Sequence, residues 1–160
     1  MTEERTLVVI KPDGLLKSLT GNIITALSET KLKIVGAKVV KVTRKFAEEH
    51  YVELLPNLIN KFGDEKGKKI FEEVLNYLQG KFHTDRVLAL VYKGEGAIQR
   101  VREIAGETNP EKAPPTSIRG RYGRINSQTQ VMENIIHCSD SPKSAQREIK
   151  LWFKDEEIVE

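Results

Sequence analysis

Apolar residues along this chain fall in short blocks whose spacing alternates between strand-like and helix-like. Residues 7–10 (LVVI) form a β-branched run closed by Pro12-Asp13-Gly14, which predicts a buried strand ending in a turn. Residues 21–31 place Ile23, Ile24, Leu27 and Ser28 at helical spacing, and residues 34–42 (IVGAKVVKV) alternate as a second strand. Thr43 suits the start of a helix carrying Glu48, Glu49, Tyr51 and Leu54. Residues 56–69, rich in charge and holding Gly63 and Gly67, read as a loop or an irregular helical extension. Phe71, Val74, Leu75 and Leu78 then share one helical face. Residues 87–92 (VLALVY) predict a central strand, and the turn at 94–96 leads into a helix stopped by Gly106.

The character changes over residues 107–128, which hold prolines and arginines but almost no apolar periodicity; such a long irregular stretch in a compact domain is functional or disordered. Residues 131–136 predict a fourth strand. The last helix starts with Ser141 as N-cap and Pro142 at its first position. Four strands with interspersed helices and no internal repeat predict a two-layer α+β sandwich in a single domain.

Composition narrows this picture. The 160 residues carry a formal charge of +3, with 39% hydrophobic and 31% charged positions, a globular balance that argues against disorder. The small surplus neither requires nor excludes a nucleic-acid partner. A single cysteine, Cys138, excludes an intrachain disulfide and fits a reducing, cytoplasmic setting. The N-terminus lacks the basic start and longer apolar core of a signal peptide, and no run of about 18 apolar residues predicts a membrane span.

Two features suggest chemistry. Arg119, Arg121 and Arg124 lie in the irregular stretch and Arg102 on the helix before it. Guanidinium forks match phosphate oxygens, so these arginines are either an oligophosphate site or a solvated surface set. Thr108 and Asn109 add neutral donors, while the sequence of a P-loop is absent. His137 follows an apolar strand and precedes a helix N-terminus, where it serves either as a nucleophile near neutral pH or as a structural histidine. His50 and His83 read as structural or solvated. No His/His or His/Glu pair has metal-ligand spacing. Cys138 is adjacent to His137, but neighbours on a strand point apart, which disfavours a Cys-His pair.

Four blocks in register, ERTLVVIKPDG, GETNP, SIRG and NIIHCSDSPKSAQREIKLWF, resemble the nucleoside diphosphate kinase family over almost the whole chain. The resemblance implies a ferredoxin-like fold, with a four-stranded antiparallel sheet covered by helices, spanning residues 1–160. It implies a ping-pong transfer of the γ-phosphoryl of a nucleoside triphosphate to a nucleoside diphosphate through a phosphohistidine on His137. Glu148 takes the place of the glutamate that orients the imidazole, and Ser139 that of its helper. Tyr51 matches the tyrosine beside the histidine. Lys11 and Asn134 fall where the family contacts the ribose hydroxyl and nearby phosphate, and Arg102, Thr108 and Arg119 match the phosphate-binding trio.

The same resemblance implies Mg²⁺ bridging the nucleotide phosphates without a protein cage, with Asp140 able to reach it through water, and assembly as a homo-oligomer. The chain departs from the family at Cys138, where glycine is usual, and at Arg121, where aspartate is usual. It carries added length around 56–69 and 121–133; the second, close to the active site, is expected to reshape the pocket rim without removing the chemistry. The family's base-stacking aromatic is replaced by Ile70 or shifted to Phe71. The alternative reading is a non-catalytic nucleotide- or nucleic-acid-binding relative.

Overall fold

The computed structural model describes residues 2–160; Met1 of the expected 1–160 domain lies outside them. The chain runs through β1 (Glu3–Ile10), α1 (Pro12–Leu16), α2 (Thr20–Ser28), β2 (Lys33–Val40), α3 (Arg44–His50), α4 (Leu54–Phe62) and α5 (Asp64–Leu78). It continues through β3 (Val87–Glu95), α6 (Ala97–Ala105), α7 (Ile118–Tyr122), β4 (Arg124–Ile125), β5 (Met132–Glu133), β6 (Ile136–Cys138) and α8 (Pro142–Trp152). One sheet has the order β2-β3-β1-β6 with antiparallel pairing throughout, and β4 and β5 form a separate hairpin. Taking its four strands in chain order, the main sheet reads second, third, first, fourth, the ferredoxin-like arrangement that the resemblance implied.

Leu7, Val8, Val9 and Ile10 are all fully buried, which explains why β1 reads as a continuous apolar run rather than an alternating one. Leu7 and Val9 pack with Ala47, Leu75, Ile149 and Trp152, drawn from α3, α5 and α8. Val8 and Ile10 pack with Ile23, Leu27, Val101 and Ala105, drawn from α2 and α6. Helices therefore cover both faces of the sheet, one layer more than the sequence pattern predicted.

Several local expectations hold for the reasons given. The Thr43 hydroxyl accepts the Phe46 amide at 3.2 Å, and that of Ser141 accepts the Ser144 amide at 3.2 Å. Gly106 closes α6 at φ +85°. Others are corrected. Pro12-Asp13-Gly14 opens a short helix, with proline at its first position, instead of forming only a turn. Residues 56–69 are helical. Gly63 at φ +88° breaks the chain between α4 and α5, and a Cβ on Gly67 would lie 2.8 Å from the Ile59 amide nitrogen, so glycine there allows the two helices to touch. The stretch 107–128 contains α7, nucleated by Ser117, whose hydroxyl accepts the Gly120 amide at 3.1 Å. The fourth strand of the main sheet is β6, not residues 131–136; Met132 and Glu133 pair with Ile125 and Arg124 instead.

Candidate active site

The nucleophile candidate is placed by strand pairing. His137 lies in β6 opposite Val9 of β1, so it projects toward the face carrying α8. Cys138, opposite Val8, is buried among the residues of the other face. The two side chains diverge as strand geometry requires. Burial pushes the Cys138 thiol up, and its backbone is not left-handed, so the cysteine brings no positive-φ strain.

Glu148, one turn and a half into α8, is 5% exposed and brings Oε1 to 2.9 Å from His137 Nε2. The same oxygen accepts the Ser139 hydroxyl at 2.8 Å, and Ser139 Oγ accepts the Leu7 amide at 3.1 Å. The carboxylate is thus tied to β1 through a buried serine. A carboxylate accepts only, so the imidazole proton sits on Nε2 and the lone pair on Nδ1.

Lys11 follows β1 directly. Its Nζ donates to Asn134 Oδ1 at 2.8 Å and lies 5.1 Å from the centre of the Tyr77 ring. Burial, with the nearby Arg119 charge, pulls the Lys11 pKa down to about 7, against a smaller raising effect of Asp13. Asn134 Nδ2 reaches the Thr108 carbonyl at 3.3 Å, which draws the 107–117 loop to the same place. Arg119 is 7% exposed and donates to the carbonyls of Gly106 at 2.9 Å and Ile136 at 2.7 Å. Its Nε is buried and has no partner among the described residues, and burial lowers its pKa. A buried cation with a spare donor is the kind of group an incoming anion satisfies. Exposed Arg102 lines a cleft of about 630 Å³ with Gly106, Glu107, Pro114, Asp140 and Pro142. Its charge is felt by both Arg119 and Asp140.

Between Asn134 and His137 the backbone is strained. Ile135, fully buried and β-branched, has φ +69°, and the Ile136 amide donates to the Asn134 carbonyl at 2.7 Å, closing a γ-turn. Such a conformation costs about 1–3 kcal/mol. It is held by Asp13, whose Oδ2 accepts the Ile135 amide at 3.1 Å, by Tyr77 Oη at 3.3 Å from the same amide, and by the Lys11 amide donating to the Ile135 carbonyl at 2.8 Å. Burial and then Asp13 push the Tyr77 hydroxyl well above its ordinary pKa. Neither Asp13 nor Tyr77 was singled out for the site from sequence. Asp13 lay in an apparent turn and Tyr77 in an ordinary amphipathic helix.

His50 was expected to be structural or solvated, yet its ring stands edge-on to His137 with centroids 4.5 Å apart. Tyr51, half-buried, meets His50 edge-on with ring centroids 4.6 Å apart; burial, followed by the Glu148 charge, raises its pKa. His50, His137 and Glu148 bring three ligand atoms within 4.8 Å, a grouping that sequence spacing could not reveal. The indole Nε1–H of Trp152 donates to His50 Nδ1 at 3.0 Å, which puts the proton of the neutral imidazole on Nε2. That leaves His50 without a lone pair for a metal while this bond persists. Two imidazoles and one carboxylate are also the wrong donors for Mg²⁺, which takes oxygen ligands. Exposed Asp140, beside Arg102 in the cleft, offers oxygens of the right kind.

Of the sequence-predicted residues, His137, Glu148, Ser139, Lys11, Asn134, Thr108, Arg119, Arg102 and Tyr51 thus converge. Phe71 instead packs against the core on the α8 side. Ile70 shares an α5 face with Tyr77, seven residues on, and Tyr77 faces Lys11.

A histidine held by a buried carboxylate, with a lysine and two arginines gathered nearby on an antiparallel α/β scaffold, is the arrangement of a phosphoryl-transfer enzyme. The sequence matches the family model described as Nucleoside diphosphate kinase over residues 4–158. It is 42% identical over 156 residues to the nucleoside diphosphate kinase of Carboxydothermus hydrogenoformans, covering 98% of this chain and 91% of that one. The structure resembles the NDP kinase of Pyrobaculum aerophilum with a TM-score of 0.85 at 31% identity, covering 99% of this chain and 100% of that one. It also resembles a transition-state mimic of the Borrelia burgdorferi enzyme with bound vanadate and ADP, with a TM-score of 0.84 at 28% identity and coverage of 99% and 91%. This chain belongs to the nucleoside diphosphate kinase family, whose members need a divalent cation. Among the described residues no helix is long and apolar enough to cross a membrane.

Proposed function

We propose that the protein transfers the γ-phosphoryl group of a nucleoside triphosphate to a nucleoside diphosphate through a phosphohistidine on His137. The observation that carries this reading is the 2.9 Å contact between His137 Nε2 and Glu148, which leaves Nδ1 as the attacking nitrogen. In the first half-reaction the Nδ1–phosphorus bond forms as the bond from phosphorus to the β,γ-bridging oxygen breaks, and the electron pair leaves with the nucleoside diphosphate. The imidazole gains positive charge, which Glu148 offsets, and the second half-reaction reverses these bonds onto an acceptor diphosphate. Because donor and acceptor use one site in turn, the enzyme needs only a single nucleotide pocket.

Lys11, Arg102, Arg119 and Thr108 are assigned to the phosphates, and Lys11 and Asn134 to the ribose side. Tyr51 is assigned to keeping the histidine in place. Ile70 is the preferred contact for the base, since Phe71 is engaged in the core. Mg²⁺ is the cation we assign; carried in by the phosphates, it would neutralise charge on them, and Asp140 would be the residue to hold it, through water. Residues 121–133 form a rim of this single domain. The exposed edge strand β2, with Ile34 at 47% and Val39 at 63% exposure, supports homo-oligomer formation, which light scattering tests. The buried lone thiol fits a cytoplasmic location.

Incubation with γ-labelled ATP and Mg²⁺ tests the mechanism. An acid-labile, base-stable phosphoenzyme is expected in the wild type and not in His137→Ala. Labelling that survives this substitution refutes His137 as nucleophile.

A further inference from the structure

Glu133 is fully buried and immediately precedes the catalytic segment. Its carboxylate gathers groups from several separate pieces of chain. Oε1 accepts Lys17 Nζ, just beyond α1, at 2.9 Å and Arg124 Nε of β4 at 3.2 Å. Oε2 accepts Asn126 Nδ2 at 2.8 Å and lies 3.4 Å from Nε2 of His83, in the loop between α5 and β3. Burial alone would raise this carboxyl, but the hydrogen bonds from Lys17, Asn126 and Arg124 outweigh it and hold the pKa at about 2. Glu133 is therefore an anion at any working pH, with cationic partners already in place.

The position of this cluster gives it a consequence for the site. Asn134, the next residue, orients Lys11; Ile135 then carries the left-handed strain. A strained turn persists only where its surroundings over-determine it. Asp13 and Tyr77 restrain it at the Ile135 amide, while on its N-terminal side the β4–β5 hairpin is tied down by Glu133. His137 has its own restraints, in the pairing with Val9 and in Glu148.

We propose that Glu133 is a positioning residue for the nucleotide: it clamps the 124–133 hairpin to α1 and to the His83 loop, and so sets Asn134 and Lys11 for the sugar and phosphates. This inference rests on the reading given under Proposed function. It separates the two tasks of the site, because the clamp serves nucleotide placement while the nucleophile is held independently.

The test compares two phosphoryl donors on wild type, Glu133→Gln and the milder Arg124→Gln. ATP with Mg²⁺ needs the nucleotide pocket. Phosphoramidate does not; it phosphorylates His137 Nδ1 as its own phosphorus–nitrogen bond breaks and ammonia leaves. In Glu133→Gln, kcat/KM for nucleotide falls about tenfold or more, mainly through KM, as small misplacements near reacting groups do. Labelling by phosphoramidate stays at the wild-type rate, and Arg124→Gln shifts the nucleotide reaction in the same direction by less. Equal losses with both donors would mean a merely structural role and overturn the proposal, as would unchanged nucleotide kinetics in Glu133→Gln. Absence of labelling by ATP in the wild type would instead overturn the reading of the function itself, and this inference with it.

Discussion

Glu148 Oε1 is shared by His137 Nε2 at 2.9 Å and the Ser139 hydroxyl at 2.8 Å, so one buried oxygen both fixes the imidazole tautomer and is itself fixed to β1. The charge on this oxygen matters more than its ability to accept hydrogen bonds, because phosphorylation makes the ring cationic. Glu148→Gln keeps an acceptor and loses the charge. We expect phosphoenzyme formation to slow by about 10²-fold, measured by rapid quench, with little change in nucleotide affinity. Ser139→Ala leaves the Leu7 side-chain acceptor missing and the carboxylate freer; a stability loss of about 1–2 kcal/mol is expected in urea titration.

Arg119 tests whether charge alone suffices. Its guanidinium spans the carbonyls of Gly106 and Ile136, while Nε has no partner among the described residues. A lysine at this position has the charge but not the planar fork. Arg119→Lys is expected to raise the nucleotide KM by about tenfold and to leave phosphoramidate labelling of His137 nearly unchanged. Steady-state kinetics beside the phosphoramidate rate check this.

Much of the fold was readable because the apolar blocks carry local information. The buried β1 run, the Thr43 and Ser141 caps and the Gly106 stop each act within a few residues of themselves. The two-sided burial of the sheet was less accessible: the unbroken run at 7–10 fits it, but residues 34–42 alternate as a strand with one open face does. At the site, His137, Glu148 and the arginines were legible through the block pattern that resembles the family. His50 was not: its role comes from Trp152, more than a hundred residues away, which sets its tautomer and its place against His137. Glu133 escaped for the same reason. A glutamate in a polar stretch reads as solvated until the fold brings Lys17, His83 and Arg124 around it.

The strained turn yields a prediction about stability. Asp13→Ala removes the Ile135 amide's closest acceptor and leaves only the longer contact to Tyr77. A buried amide that loses its partner costs about 1–3 kcal/mol, and the turn is then free to relax away from φ +69°. We expect a loss in that range in urea titration, accompanied by a fall in kcat/KM, because Asn134 and His137 flank the turn. Tyr77→Phe should cost less, since the Asp13 bond remains.

Lys11 makes nucleotide binding depend on pH in a direction that can be worked out in advance. Its pKa in the folded protein is about 7 against an ordinary 10.5, so the side chain is largely neutral in the free enzyme at about pH 8. In the unfolded chain it is still protonated there. The unfolded state thus binds more protons between the two values, and this group's contribution to stability rises with pH across that window. An incoming polyphosphate favours the ammonium form and draws the pKa back up. Nucleotide binding at about pH 8 should therefore take up close to one proton through this group, and the affinity should weaken as pH climbs through the same window. Calorimetry in buffers of different ionisation enthalpy measures the uptake directly. Lys11→Met should abolish it and flatten the pH dependence of binding; uptake that persists in this variant would assign the proton to another group.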